Sequence, residues 1–152
     1  MELLVTDRES IEAGIAVRTR YVVISIHDSR SKKPKVRKQA GLKDVLFLKF
    51  DDAEPSIHME LPASIKLMTA AHAKAIWDFL ALHQKAIGTV VVHCEQGMSR
   101  SPAVAAAIAK RLGIDETRFW SDHQPNKYVY EMMAKGQESL DPRRSVTAPP
   151  GK

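Results

Sequence analysis

Cys94 and Arg100 are the two side chains of this 152-residue chain whose types and spacing most directly suggest chemistry. Cys94 is the only cysteine, so an intrachain disulfide and any site needing two thiolates from this chain are excluded. The thiol is then either an inert buried group or a single reactive one. Its neighbours are His93-Cys94-Glu95-Gln96-Gly97-Met98-Ser99-Arg100-Ser101-Pro102. If this segment leaves a buried strand and enters a helix, its backbone N–H groups and the helix dipole converge on one point, which suits a tetrahedral dianion such as phosphate or sulfate. Gly97 lets the loop turn tightly. Arg100 supplies a planar fork that matches two oxygens of such an anion. The same positive cradle would hold the Cys94 sulfur as thiolate, so one geometry can bind the anion and arm the nucleophile.

The flanking pattern supplies those elements. Residues 89–94 form the most hydrophobic of three nearly continuous apolar runs, the others being 21–26 and 45–50. Runs of this kind predict strands covered on both faces. Beyond Arg100, the alanine-rich stretch 102–112 predicts a helix with Ser101 as N-cap, Pro102 as its first residue and Gly113 in the C′ position. Ahead of these, the apolar run 3–5 precedes a capping signal at Thr6-Asp7-Arg8-Glu9, which opens a short helix to about Val17. A long helix is predicted from near Pro62 to before Gly88, with Ile65, Met68, His72, Ile76, Phe79 and His83 on one face. No third ligand is placed beside His72 and His83, so they read as packing or edge residues. Two more helices are predicted over 115–120 and 126–135.

Strands separated by helices make this a single α/β domain: a mostly parallel central sheet flanked by helices on both faces. Cys94 would then stand at the carboxyl end of a strand, where open sheets of this class bind ligands. The domain is assigned to 1–140, and 141–152, rich in proline and charge, is expected to be a flexible tail. With 44% hydrophobic and 27% charged residues, composition excludes collagen-like, disordered and membrane classes. No apolar run reaches spanning length and the first residues lack a signal-peptide pattern, so the expected location is cytoplasmic. The net charge of +5 is concentrated in 30–38. This run reads as a solvated loop whose basic rim could help collect anionic substrates, with nucleic acid and membrane disfavoured as partners.

The segment from His93 to Ser101 resembles the His-Cys-x5-Arg-Ser/Thr signature of the cysteine-dependent protein tyrosine phosphatase superfamily. It is most similar to the compact dual-specificity-like enzymes and their bacterial relatives. The resemblance covers residues 45–133, and the first forty residues only as a compatible strand pattern. Low-molecular-weight tyrosine phosphatases share Cys-x5-Arg-Ser-Pro, but their loop lies at the extreme N-terminus.

The resemblance implies a phosphomonoester hydrolase in which Cys94 attacks phosphorus and forms a phosphocysteine. It implies that Arg100 and the loop from Glu95 through Gln96, Gly97, Met98 and Ser99 bind the phosphoryl oxygens. Ser101 would stabilise the departing thiolate and His93 would hold the loop. It implies no metal and no other cofactor, and a phosphorylated protein or peptide as substrate. The superfamily's general acid is an aspartate about thirty residues before the cysteine, where it protonates the leaving group. Here that position holds Glu60-Leu61-Pro62-Ala63-Ser64. Phe50-Asp51-Asp52-Ala53-Glu54-Pro55 lies further back, with Asp52 42 residues before Cys94. Asp52 is the favoured acid, Asp51 the alternative, with Glu54 and Glu60 behind; the other reading is that both aspartates only cap a turn. The longer spacing implies an inserted loop, 55–61, able to act as a lid. Pro125-Asn126 resembles the turn before the last helix of these enzymes, and Asn126 reads as structural. Trp77, Trp120 and Tyr128 read as packing residues. The rival readings are a phosphatase of a phosphoinositide or RNA end, a phosphate-binding module without turnover, and sulfurtransferase or arsenate chemistry.

Overall fold

Four segments lie side by side, and the β-branched runs of the two central ones are covered from above and below at once. In the computed structural model, which describes residues 1–56 and 59–139, the four are β1 (Glu2–Asp7), β2 (Tyr21–His27), β3 (Leu42–Lys49) and β4 (Thr89–Cys94). All pairings are parallel and the order is β1-β4-β2-β3. The segment at 42–49, expected over 45–50 to be covered on both faces, is an edge with only Leu48 buried. Val22, Val23, Ile24, Val90, Val91 and Val92 are fully buried. Alternation sends Val22, Ile24, Val90 and Val92 into a large core, while Tyr21, Val23 and Val91 face a smaller one around Ile11.

The helices are α1 (Arg8–Ala13), α2 (Ala70–His83), α3 (Arg100–Leu112), α4 (Thr117–Ser121) and α5 (Lys127–Ser139). The last four supply the large core, and α1 covers the other face with help from Ile15, Val17 and Val36. The domain is therefore the expected α/β sheet with helices on both faces, unequally thick. No helix among the described residues is long and apolar enough to cross a membrane.

Three boundaries differ from the sequence reading. The apolar run at residues 3–5 is a strand, β1, paired from Glu2↔Thr89 to Asp7↔Cys94. Helix α1 stops at Ala13 because Gly14 takes φ 116° and ends the repeat. Helix α2 begins at Ala70, not near Pro62. Thr69 is extended and closes a capping box with His72, whose Nδ1 accepts the Thr69 N–H at 2.9 Å. The residues ahead of it turn toward Asp51: the Lys66 N–H donates to its carboxylate at 2.8 Å and the Asp51 N–H donates to the Lys66 carbonyl at 2.7 Å. Backbone groups committed to Asp51 cannot also serve a helix. Residues 57 and 58 within the expected loop 55–61, and the expected tail 141–152, lie outside the described residues.

His72 and His83 are packing and edge residues as read. His72 lies against Phe50 with ring centroids 5.1 Å apart, and His83 Nε2 is 2.8 Å from Asp44. Trp77 donates to the Met133 carbonyl, Tyr128 to the Met68 carbonyl and Trp120 to Glu116.

Candidate active site

A parallel sheet brings the carboxyl ends of all its strands to one rim. At that rim β4 ends on Cys94, β2 is followed by Asp28 and β3 by Phe50-Asp51-Asp52. Between them opens a cleft of about 440 Å³ lined by Cys94, Glu95, Gln96, Met98, Ser99 and Arg100 from the loop. Asp28, Arg30, Asp51 and Asp52 line it from the neighbouring strand ends, and Ser64 and Ile65 form its far wall. That wall is part of the segment read as helix.

The loop between β4 and α3 is held from outside. Its carbonyls at Glu95, Met98 and Ser99 accept N–H groups from Arg8 (3.2 Å), Gln124 (2.9 Å) and Asn126 (3.0 Å). The N–H groups of Glu95, Gln96, Gly97, Met98 and Ser99 have no acceptor among the described residues. Such a loop presents donors on its concave side, the arrangement of an anion nest. Gly97 makes this possible twice over. Its φ is 71°, and a Cβ there would stand 2.9 Å from the Thr6 carbonyl carbon and oxygen. Gly97→Ala is therefore expected to lower the melting temperature and to weaken binding of phosphate or sulfate at least about tenfold, because strain and clash together displace the loop by a fraction of an ångström or more. An alanine variant with wild-type anion affinity and melting temperature contradicts this geometry.

Cys94 is buried, and its Sγ lies 3.1 Å from the Ser101 Oγ. Ser101 is thus not the helix cap expected from sequence. Ser99 occupies the N-cap position, without a side-chain cap bond, and Ser101 is inside the helix with its hydroxyl turned to the sulfur. His93 is fully buried, and burial pushes its pKa down, outweighing the upward pull of the Cys94 carbonyl. The neutral ring donates through Nδ1 to that carbonyl at 3.1 Å, which leaves Nε2 to accept the Ser25 hydroxyl at 2.6 Å. His93 therefore fixes the strand end and faces away from proton traffic.

Arg100 is 4% exposed, and its Nη1 donates to the Phe50 carbonyl at 2.7 Å and to Asp28 Oδ1 at 2.8 Å. Its Nε is buried with no partner among the described residues. Fixing one end of the fork in this way leaves the Nε edge to receive an anion. Glu95 turns outward: its carboxylate accepts from Arg8 Nη1 and the Ser31 hydroxyl, both at 3.2 Å. Gln96 and Met98 are exposed at the rim.

The acids separate by surroundings. Asp51 accepts the Ser29 N–H (2.8 Å), the Ser29 hydroxyl (2.7 Å) and the Lys66 N–H (2.8 Å). Burial pushes its carboxyl up, but these donors and the nearby Arg100 outweigh it and hold the group below the ordinary carboxylate range. Asp51 is a clamp for two loops. Asp52 is exposed, and its Oδ1 accepts from the Ser99 hydroxyl at 2.8 Å and the Asn126 amide at 2.9 Å. Asn126 also donates to the Ala53 carbonyl and accepts the Val129 N–H, so it caps α5 and holds the Asp52 segment together. Glu54 accepts the Lys127 N–H at 3.4 Å, and Glu60 does not line the cleft.

Sequence reasoning missed Asp28 and the Phe50 carbonyl as partners of Arg100. The available signal was position: Asp28 follows one predicted strand and Phe50 ends another, and in a parallel sheet all such ends meet Cys94. It also missed that Asn126 reaches Asp52.

No protein-family model matches the sequence, and no curated protein matches it. Solved structures do. Human DUSP28 superposes with a TM-score of 0.56 at 19% identity, over 93% of this chain and 94% of its own. The human tyrosine phosphatase-like serine/threonine/tyrosine-interacting protein gives 0.50 at 19% identity, over 78% and 77%. A mouse protein assigned as a dual specificity phosphatase, complexed with zinc tungstate, gives 0.51 at 19% identity, over 80% and 73%. What is shared is the fold, that of the dual-specificity-like branch of the protein tyrosine phosphatase superfamily.

Proposed function

We propose that this chain, which has the dual-specificity-like phosphatase fold, hydrolyses phosphomonoesters through a phosphocysteine on Cys94, with phosphotyrosine in a protein or peptide as substrate. One juxtaposition carries the reading. A buried thiol lies beneath a nest of backbone N–H groups without acceptors, beside an arginine whose buried Nε has no partner among the described residues.

In the first step the Cys94 thiolate attacks phosphorus in line. The S–P bond forms as the P–O bond to the leaving oxygen breaks, and Asp52 delivers its proton to that oxygen. Loop N–H groups and Arg100 hold the equatorial oxygens, whose charge they meet at fixed positions. In the second step water attacks phosphorus, the Asp52 carboxylate takes its proton, and the S–P bond breaks. The Ser101 hydroxyl, 3.1 Å from the sulfur, donates to the departing thiolate. Dividing hydrolysis this way replaces one difficult displacement by two easier ones. The loop holds no lysine, which disfavours heavily phosphorylated lipid headgroups, and the apolar Ile65 wall and Met98 rim suit an aryl ring.

The choice between aspartates is tested with an aryl phosphate whose leaving group is weakly acidic. Asp52→Asn is expected to lower kcat by roughly 10²- to 10⁴-fold, the usual contribution of a positioned acid. Asp51→Asn is expected to reduce thermal stability at neutral pH and to cost less in kcat. Because the clamped Asp51 carboxyl sits below its unfolded value, its stabilisation is present above that value and is lost as pH falls through the folded one. The stability gap between Asp51→Asn and wild type should therefore close in acid. A kcat loss confined to Asp51→Asn moves the acid role to that residue.

A further inference from the structure

The basic run 30–38 is built into the domain. It leaves a turn at Arg30 and runs on without helix or strand, with Pro34 buried and Val36 half-buried against the core around Ile11. Its backbone is fastened along its length: the Lys35 N–H donates to Glu12 at 3.0 Å and the Arg37 N–H to the Ile11 carbonyl at 3.2 Å. At its start, the Ser31 hydroxyl bonds Glu95 of the phosphate-type loop at 3.2 Å and Arg30 lines the cleft. Arg30, Lys32, Lys33, Lys35, Arg37 and Lys38 are all exposed. These six cations equal the chain's whole +5 excess and one more. Lys33 lies 4.0 Å over the Phe47 ring, and none of the six forms an ion pair among the described residues.

A solvated loop needs no such fastening. Fixed backbone lowers the ordering cost of binding, and a row of unpaired cations gives a potential that steers an anionic ligand toward the cleft at the row's end.

We propose that this strap is the subsite for acidic residues flanking the phosphorylated residue of a protein substrate, a refinement that rests on the phosphatase reading above. Nucleic acid fits the strap less well. The run holds no aromatic side chain on which a base could stack. The cleft mouth carries four carboxylates; Arg100 and Arg8 pair those of Asp28 and Glu95, and the remaining two, Asp51 and Asp52, disfavour a run of closely spaced phosphates. Acidic side chains set apart from the phosphoryl group avoid that repulsion and reach the lysines.

The test compares two phosphotyrosine peptides of equal length, one flanked by aspartate and glutamate and one by neutral residues, with a small aryl phosphate as control. At low ionic strength the wild type is expected to prefer the acidic peptide about tenfold in kcat/KM, and the preference should shrink as salt screens it. The combined variant Lys32→Gln, Lys33→Gln, Lys35→Gln, Lys38→Gln should lose the preference while turning over the aryl phosphate normally, which also shows that it folds. Binding of both peptides to Cys94→Ser, by fluorescence anisotropy, repeats the comparison without turnover. If no phosphate ester is hydrolysed and Cys94→Ser still prefers the acidic peptide in a lysine-dependent way, the hydrolase reading falls and the subsite stands. Equal kcat/KM and equal binding for the two peptides in low salt overturn the proposal, as does tighter binding of a 5′-triphosphorylated RNA oligonucleotide.

Discussion

Cys94→Ser is expected to fold as the wild type does and to hydrolyse an aryl phosphate about 10⁴-fold more slowly or worse, the scale on which loss of a covalent nucleophile registers. Serine occupies slightly less space than cysteine at a buried position whose Sγ already lies 3.1 Å from a hydroxyl, so a second hydroxyl can be accommodated by hydrogen bonding to Ser101. An alcohol at that point keeps its proton near neutrality and is a far weaker nucleophile than a thiolate. Anion binding should survive, because the donors belong to the loop backbone and Arg100. The variant should therefore keep affinity for phosphate or tungstate while losing turnover. That split separates a lost nucleophile from a lost site.

Arg100 carries the second large effect. Arg100→Ala removes the group whose Nη1 is held by Phe50 and Asp28 and whose Nε is buried without a partner among the described residues. A cationic fork meeting developing charge on a transferred phosphoryl group is worth roughly 10³- to 10⁵-fold in rate. A loss in that range is expected in kcat/KM. Removing the donor to the Phe50 carbonyl also costs about 1–3 kcal/mol of stability if that group stays buried and unsatisfied. Arg100→Lys separates the two consequences. A single ammonium can satisfy Phe50 and Asp28 or reach the anion, but it has no second edge, so lysine should recover stability and not rate. A lysine variant within tenfold of wild-type kcat/KM contradicts the fork geometry.

The loop between β4 and α3 was legible because its signals are local: an apolar strand, a glycine and a helix start within ten residues of Cys94. The class of fold was legible from the alternation of strands and helices. What the sequence concealed depends on strand order. Placing β2 beside β4 brings Asp28 to Arg100, 72 residues away, and nothing in local spacing encodes that neighbour. β1 was hidden by brevity, since three apolar residues suit several structures until β4 offers a partner. Ser101 was misread as a cap because cap chemistry and a hydroxyl aimed at a thiol use the same residue type in the same place. The start of α2 failed for a tertiary reason, the capture of Lys66 by Asp51, which outweighs a helical periodicity that continues upstream.

The central claim is that phosphorus passes through the Cys94 sulfur. Rapid quench of the enzyme into alkaline detergent, in which an S–P bond survives, during turnover of a radiolabelled aryl phosphate, followed by peptide mapping without acid, tests it directly. A label is expected in the peptide containing Cys94, absent from Cys94→Ser and accumulating further in Asp52→Asn with a good leaving group, where attack is fast and hydrolysis of the intermediate is slowed. Turnover at the wild-type rate with the label on another residue, or sustained by Cys94→Ser, contradicts it.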